Sequence, residues 1–207
     1  MKIMKTKLNK YYLIFCYDEE IKTKQIDKNN YIACDPGGRT FLTTYNNNKI
    51  MEIGKNINKL MYKSCNEINK EKDKKKEIKK ITKLRNRIYD LHYKSISKII
   101  MSDVILIPKM NIRNMIKKKG NLNKKIKQPL VMLSHCKFIE RLKNKCETTG
   151  NKLYVCCESY TSVTCGMCFN RNDKTKSKIF KCKFCNYETD RDINAARNIF
   201  IKNIDKL

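Results

Sequence analysis

The stretch YIACDPGGRTFLTTY, residues 31–45, decides the fold of this chain. Tyr31–Asp35 has the apolar character of a buried strand and ends on a carboxylate, and the turn Pro36-Gly37-Gly38 closes it. Phe41–Tyr45 and Lys49–Ile53 read as two further strands, and a run of asparagines joins them at a hairpin position. The sequence therefore predicts three adjacent strands, and it predicts that the Asp35 carboxylate lies exposed at the sheet edge, where the turn begins.

Elements on both sides of this unit alternate in type. Upstream, Tyr11–Tyr17 reads as a strand. Downstream, residues 55–100 have the apolar stripe of a lysine-rich helix, and Asp103–Ile107 is a short strand stopped by Pro108. After a lysine-dense loop, the remaining predicted elements are a helix over about Pro129–Thr148, a strand over Asn151–Cys157 and a helix from about Arg191. This order predicts an α/β domain.

The composition narrows the function classes. A hydrophobic content of 41% in 207 residues supports a packed core. The formal net charge of +27 attracts polyanions, nucleic acid first and an anionic membrane second, although a coding bias toward A and T would account for part of the lysine. No run approaches the roughly 20 apolar residues of a membrane span, and the N-terminus lacks a signal-peptide core. We therefore expect an intracellular protein in a reducing compartment, with nucleic acid rather than membrane as partner.

The cysteines give the strongest local signal. Cys165 and Cys168 form one Cys-x-x-Cys knuckle, and Cys182 and Cys185 form a second across a short polar insert. Two such knuckles complete a closed tetrahedral zinc site, so the zinc is predicted to be structural. The alternative is four incidental thiols. The remaining cysteines are predicted to be small core residues: Cys16, Cys34, Cys65, Cys136, Cys146, Cys156 and Cys157.

Two aspartates stand where elements begin or end. Asp35 ends an apolar strand, and Asp192 lies at the start of the last helix, which Ala195 and Ala196 allow to press against the sheet. This arrangement aims both carboxylates at the same edge. Two-metal phosphodiester hydrolysis uses several carboxylates around Mg²⁺ ions about 4 Å apart. Taken singly, a strand-end Asp is usually a turn residue and a helix-start Asp an N-cap, so only the combination indicates a metal site.

Five motifs follow one another along the chain: DPGGRTFLT, IPKMNIRNM, HCKFIERL, ESYTSVTCGMC and KCKFCNYETDRDINAARNI. From about Tyr31 to Ile201 the chain resembles the nuclease half of the Fanzor family, the eukaryotic and viral relatives of the transposon-encoded TnpB nucleases. Type V CRISPR effectors share this architecture. The resemblance implies an RNase H-like (RuvC-like) mixed sheet flanked by helices, with a four-Cys zinc ribbon inserted before the last helix. It also implies RNA-guided cleavage of DNA with Mg²⁺ or Mn²⁺.

The same resemblance implies a third metal ligand. TnpB-type proteins carry an acidic residue after the middle strand, whereas here Pro108 and Lys109 occupy that place. Fanzor-type proteins similarly have Pro-Lys there, and their glutamate comes just before the Tyr-Thr-Ser that leads into the ribbon. That position is Glu158, which would join Asp35 and Asp192 as a relocated ligand. The simpler alternative is a solvent-facing glutamate at a strand end.

The resemblance divides the chain into three parts. Residues 1–30 would be the remnant of an N-terminal nucleic-acid-binding domain, residues 31–160 and 190–207 a RuvC-like nuclease domain, and residues 161–189 the zinc ribbon. The family carries a large N-terminal half that holds the guide RNA and recognises the DNA flank. Three explanations for the short N-terminal part stay open. The chain is a fragment, a decayed copy, or the product of half of a split gene whose N-terminal half is encoded separately.

Three functions compete at this point. The leading interpretation is a transposon-associated, RNA-guided DNA endonuclease domain, with structural zinc, catalytic Mg²⁺ or Mn²⁺, and DNA and a guide RNA as partners. The alternative is a catalytically inactive nucleic-acid-binding remnant of such a nuclease. A zinc-stabilised protein-interaction module is the third, and it would leave the charge and the acidic motifs without use.

Overall fold

The computed structural model describes residues 1–6, 10–18, 23–46, 49–117, 123–173 and 177–207. Its strands are β1 (Lys2–Lys5), β2 (Tyr11–Ile14), β3 (Tyr31–Pro36), β4 (Leu42–Asn46), β5 (Lys49–Ile53), β6 (Val104–Pro108), β7 (Lys152–Cys156), β8 (Ile179–Lys181) and β9 (Glu188–Asp190). Its helices are α1 (Ile57–Asn69), α2 (Lys74–Ile99), α3 (Ile112–Ile116), α4 (Lys124–Met132), α5 (His135–Thr149) and α6 (Arg191–Lys202), and a 3₁₀ turn follows at Ile204–Lys206. Within these described ranges no helix is long and apolar enough to cross a lipid bilayer.

The central layer is a five-stranded mixed sheet in the order β5-β4-β3-β6-β7. Strand β3 pairs antiparallel with β4 and parallel with β6, and β7 continues the parallel half. The prediction of an α/β mixed sheet is confirmed, and Tyr31–Asp35 belongs to its central strand, between the hairpin strands and β6. The asparagine turn between β4 and β5 includes residues 47–48, which lie outside the described residues.

Both faces of the sheet are covered, because alternate residues of a strand point to opposite sides. Even-numbered residues of β3 and odd-numbered residues of β6 join the larger core with α1, α2 and α5: Ile32, Cys34, Ile105 and Ile107. The other residues of these strands join a smaller core with Ile199 of α6: Tyr31, Ala33, Val104 and Leu106. Ala195 and Ala196 are buried, and α6 lies against β3 and β4 as predicted.

Two predicted helices are each divided in the structure. The stretch 55–100 forms α1 and α2, because the Asp73 carboxylate caps α2 by accepting hydrogen bonds from the backbone N–H groups of Lys75 (2.7 Å) and Lys76 (3.2 Å). The helix predicted over Pro129–Thr148 becomes α4 and α5, because Ser134 adopts a left-handed backbone with φ of 52° between them. Part of the preceding lysine-rich loop, residues 118–122, lies outside the described residues.

The N-terminal strand is shorter than predicted and belongs to a separate sheet. Tyr11–Tyr17 was expected as one strand, but β2 ends at Ile14 and pairs with β1 in a two-stranded sheet whose side chains are all exposed. The residues after it are tied to the main sheet instead. The Asp103 carboxylate accepts hydrogen bonds from the Asp27 N–H (3.0 Å) and the Asn30 amide (3.1 Å), and it pairs with Lys24.

Candidate metal centres

Three carboxylates from three separate segments line one pocket of about 950 Å³. Asp35 comes from β3, Glu158 from the segment after β7, and Asp192 from the first turn of α6. Along β3, Asp35 falls on the same face as Tyr31 and Ala33, the face that α6 covers. The structure thus brings together the three acidic residues named from the sequence.

The charges of the other two carboxylates affect Asp35. The pKa of Asp35 is raised well above its ordinary value, first by burial and then by the negative charges of Asp192 and Glu158, while the Arg191 guanidinium opposes the shift. Glu158 lines the pocket but is exposed, and partial removal from water still raises its pKa. Such an environment disfavours negative charge on these carboxylates, and either a proton or a bound cation would relieve it.

The start of α6 leaves Asp192 available to the pocket. The helix is capped by Asp190, whose carboxylate accepts a hydrogen bond from the Asp192 N–H at 2.9 Å. Because Asp190 fills the capping role, the Asp192 side chain is free of it. Its Oδ1 instead lies 3.5 Å from an Arg191 nitrogen and 3.9 Å from an Arg39 nitrogen.

The turn after Asp35 is fixed from several sides. The Gly37 N–H donates to the Phe41 carbonyl at 3.1 Å, and a Cβ on Gly37 would lie 2.7 Å from the Thr40 carbonyl oxygen, so this position requires glycine. The His135 Nε2–H donates to the Gly37 carbonyl at 3.1 Å. The Phe41 ring stacks on both His135 and His92, with centroids 4.9 and 5.2 Å apart. Core packing therefore holds the backbone that carries Asp35.

Both histidines of this cluster are expected to stay neutral well below their ordinary pKa. Burial lowers the pKa of His92 and of His135 to about 4 each. In the unfolded chain each histidine takes up a proton below about pH 6.5, whereas in the folded chain it stays neutral down to about pH 4. The stability that the neutral histidines contribute is therefore complete above about pH 6.5 and is lost as the pH falls toward 4. At pH 5 each histidine should lower the free energy of unfolding by about 2 kcal/mol.

The chain has two histidines, so NMR can follow each imidazole separately during a pH titration. We expect both rings to retain the shifts of a neutral imidazole with its proton on Nε2 down to about pH 5. A folded-state titration midpoint near the unperturbed value would contradict the prediction.

The carboxylate set fits a hard divalent cation. Mg²⁺ and Mn²⁺ prefer oxygen ligands, and Asp35, Glu158 and Asp192 supply carboxylate oxygens to one pocket. Among the described residues these three do not form a ligand group as compact as the cysteine cluster. A wider spacing is expected for carboxylates, because their charges repel one another and because a two-metal site places them around ions about 4 Å apart. The positive charges of Arg39 and Arg191 offset part of the repulsion at Asp192.

The four predicted cysteine ligands form one cluster. The sulfurs of Cys165, Cys168, Cys182 and Cys185 all lie within 4.8 Å of one another, with Cys165–Cys185 and Cys168–Cys182 both at 3.6 Å. Tetrahedral zinc with bonds of about 2.3 Å would place its sulfurs about 3.8 Å apart, so the observed spacing fits the ion. The backbone N–H groups of Met167 and Phe184 donate to two of these sulfurs at 3.4 Å.

The β8–β9 hairpin supports the second knuckle, and Phe180 is buried beneath the cluster. Of the other cysteines, Cys34, Cys65, Cys146 and Cys156 are buried, as predicted. Cys16, Cys136 and Cys157 are exposed, so the core prediction is wrong for them. Cys16 and Cys157 lie just past the ends of strands, and Cys136 lies on the outer side of α5.

Sequence reasoning missed several polar residues at the site. Arg39 lines the pocket beside Asp192, and the buried asparagines Asn194 and Asn198 follow that aspartate along α6. The four-residue spacing of the asparagines, on a helix whose alanines face the sheet, was the available signal. A polar residue at such a position is expected only where it has a partner.

Known proteins are similar in sequence to this chain over most of its length. Residues 135–199 match the family model described as Cas12f1-like, TNB domain. TnpB-like protein L79 of Acanthamoeba polyphaga mimivirus is 31% identical over 208 residues, covering 91% of this chain and 40% of the relative. CRISPR-associated endodeoxyribonuclease Cas12f1 of Sulfoacidibacillus thermotolerans is 45% identical over 65 residues, covering 30% of this chain and 15% of that protein.

A solved structure shows the same fold. The Cas12f1 chain in the cryo-EM structure of a Cas12f1-sgRNA-target DNA complex superposes with a TM-score of 0.55 at 20% identity, covering 85% of this chain and 50% of that one. The α/β mixed sheet therefore resembles that of Cas12f. The chain spans about two fifths of the length of its TnpB-like relative.

Proposed function

We propose, from the premise that this chain belongs to the TnpB and Cas12-type nuclease family, that it is the metal-dependent DNA-cleaving part of a transposon-associated, RNA-guided system. The observation that carries the proposal is the convergence of Asp35, Glu158 and Asp192 on one pocket. These carboxylates would hold Mg²⁺ or Mn²⁺. The cations would activate a water molecule and stabilise the charge that develops on the phosphate.

The fold supports this proposal by its order of strands. We propose an RNase H-like, RuvC-like arrangement for residues 31–160 and 190–207, with the antiparallel strands β3, β4 and β5 beside the parallel strands β6 and β7. Residues 161–189 would form a zinc ribbon around the four cysteines. Residues 1–30 would belong to an N-terminal nucleic-acid-binding domain.

Each side chain of the pocket has a task in this proposal. Asp35, at the end of the central strand, would be a ligand of the cation, on backbone that the following turn holds in place. Asp192 and Glu158 approach it from α6 and from the β7 side. Arg39 has a side chain that is 41% exposed, and its guanidinium lies 3.9 Å from the Asp192 carboxylate. If a cation occupied Asp192, this guanidinium would be free to pair with a substrate phosphate instead.

The partners follow from charge and from the relatives. The chain carries 47 Lys and Arg against 20 Asp and Glu, and Cas12f1 was solved with guide RNA and target DNA. We propose DNA as substrate and RNA as guide, in a reducing compartment that keeps the cysteines as thiolates for zinc. The second candidate, a catalytically inactive nucleic-acid-binding remnant, would retain the charge and the zinc but not cut.

The deciding experiment measures cleavage of single-stranded DNA by the full chain at fixed zinc content. Mg²⁺ is supplied or omitted rather than chelated, because a chelator would also remove zinc. The nuclease proposal expects cleavage that requires Mg²⁺ or Mn²⁺ and is lost in Asp35→Asn. Binding without cleavage, in the chain alone and with guide RNA added, would favour the second candidate.

Nucleic-acid binding should depend steeply on salt whichever candidate holds. For duplex DNA we expect a log–log slope of about −0.9 for each phosphate neutralised, so roughly six contacts would weaken binding about a thousandfold between 50 and 200 mM salt. Without a guide, sequence preference should be slight. The measurement is a fluorescence-anisotropy titration at several salt concentrations, and affinity that does not change with salt would contradict the electrostatic interpretation.

A further inference from the structure

Helix α6 carries three polar side chains at four-residue intervals along one face, Asn194, Asn198 and Lys202, here called the α6 ladder. The two asparagines are 0% and 5% exposed. A buried amide destabilises a fold unless its hydrogen bonds are made, so each needs defined partners. The ladder begins two residues after Asp192, on the helix whose first turn reaches the acidic pocket.

The ladder binds the backbone of a single segment. The Asn194 amide donates to the Thr164 carbonyl at 2.8 Å and accepts from the Gly166 N–H at 3.0 Å. The Asn198 amide donates to the carbonyls of Thr161 (2.8 Å) and Thr164 (2.7 Å). The Lys202 ammonium donates to the Ser159 carbonyl at 3.1 Å. The segment is thus held at four backbone positions over residues 159–166.

This segment connects the two metal centres. It begins at Glu158, whose carbonyl accepts hydrogen bonds from the Thr161 N–H (3.2 Å) and the Thr161 hydroxyl (2.9 Å). It ends at Cys165 and Gly166, the first knuckle of the cysteine cluster. A Cβ on Gly166 would lie 3.0 Å from the Asn194 amide oxygen, so the knuckle packs directly on the ladder. One helix face therefore holds the backbone directly beside Glu158 and directly beside Cys165.

We propose that the α6 ladder positions Glu158, with Asn198 as its central member, and that the zinc ribbon serves through it to assemble the acidic pocket. Asp192 and the ladder belong to one rigid helix, so fixing the segment to that helix fixes Glu158 relative to Asp192. Zinc bound at Cys165 would hold the far end of the same segment. The inference rests on the proposed function, because the ligand whose binding it governs is the divalent cation of the carboxylates.

A purely structural anchor predicts a different outcome. If the ladder only attached the ribbon, its loss would lower stability but leave cation affinity unchanged in the protein that remains folded. If it positions Glu158, cation affinity falls while zinc stays bound. Outer contacts that orient a metal ligand are typically worth 10–100-fold in metal affinity. Cation affinity measured at full zinc occupancy separates the two roles.

The test compares Mg²⁺ and Mn²⁺ affinity of full-length variants by calorimetric titration, with zinc quantified in each sample. We expect Asn198→Ala to weaken cation binding about tenfold or more and to retain one zinc per chain. Asn203→Ala is the matched control, since Asn203 is also buried but its amide donates to the Ile199 carbonyl within the helix end. Asn203→Ala should keep wild-type cation affinity.

A second variant covers failure of Asn198→Ala to fold. Thr161→Val keeps the side-chain volume and removes the hydroxyl that donates to the Glu158 carbonyl, so it should weaken cation binding several-fold in the same direction. Wild-type cation affinity in folded, zinc-loaded Asn198→Ala or Thr161→Val overturns the ladder proposal alone. If Asp35→Asn leaves cation affinity unchanged, the carboxylates are not the cation site, and the proposed function and this inference both fail.

Discussion

Replacing Glu158 with glutamine is expected to abolish magnesium-dependent DNA cleavage while leaving zinc content and salt-dependent binding intact. The change preserves the shape of the side chain and removes one negative charge from a pocket where three carboxylates meet. A catalytic cation stabilises the developing charge by several kcal/mol, so losing a ligand should slow cleavage by roughly a thousandfold or more. Single-turnover cleavage of a labelled DNA strand measures the effect.

The same variant should also lose the stabilisation that magnesium gives to the wild type. The pKa of Asp35 is raised by burial and by the charges of Asp192 and Glu158. Without a cation, repulsion between these carboxylates therefore destabilises the fold. Saturating Mg²⁺ should therefore stabilise the wild type, by about 2.7 kcal/mol at a concentration a hundred times the dissociation constant. Glu158→Gln should lose this stabilisation and be no less stable than the wild type without metal, since one repelling charge is gone.

Two other glutamates serve as matched controls. Glu188 is exposed on the β8–β9 hairpin, where it pairs with Lys181 at 3.6 Å, and Glu140 lies on α5. Neither lines the acidic pocket, so their glutamine variants should cleave and respond to magnesium as the wild type does. Cleavage by Glu158→Gln at the wild-type rate would show that Glu158 is not a ligand of the catalytic cation, although the chain itself would then be an active nuclease.

The central sheet was predictable because its strands are almost wholly apolar and are separated by strong turn signals. Tyr31–Asp35 followed by Pro-Gly-Gly permits little besides a buried strand and a tight turn. The position of Asp35 then follows from strand periodicity, since it shares a face with Ala33 and thus with α6. The cysteine cluster was equally accessible, because two short knuckles constrain the chain locally and need few tertiary contacts.

Glu158 illustrates where local patterns stop being sufficient. Strand periodicity places Tyr154 and Cys156 of β7 on the α6 side of the sheet, but the strand ends before Glu158. The path beyond Cys156 is set by bonds to α6 and by Tyr160, whose left-handed φ of 68° no sequence pattern foretold. The sequence suggested Glu158 through the resemblance to a family, and its placement beside Asp35 depends on tertiary contacts.

Other differences have the same origin. The break between α1 and α2 depends on whether Asp73 caps a helix or lies within one, and a lysine-rich stretch does not distinguish the two. Asn194 and Asn198 read as ordinary helix-surface residues until their backbone partners are known. Periodicity reports which face is apolar, whereas buried polar contacts depend on elements far along the chain.

The largest effect on folding is expected from the cysteines. Cys182→Ser should lose the zinc and unfold the ribbon, because a structural zinc site of this type contributes about 10–16 kcal/mol of binding free energy that is also folding free energy. The ribbon has little apolar core of its own, since Phe180 is its one fully buried large side chain among the described residues. Metal analysis of purified protein should find one zinc per wild-type chain and well under one in the variant.

Cys136→Ser and Cys157→Ser are the controls, because both cysteines are exposed and lie outside the cluster. They should retain full zinc content, and a wild-type chain that folds with far less than one zinc would contradict the site itself. The consequence of Cys182→Ser should reach beyond the ribbon. The first knuckle is bound to Asn194 through Gly166, and the same ladder holds the segment that starts at Glu158. Loss of zinc at four thiolates should therefore weaken divalent-cation binding at three carboxylates, although no zinc ligand lines their pocket.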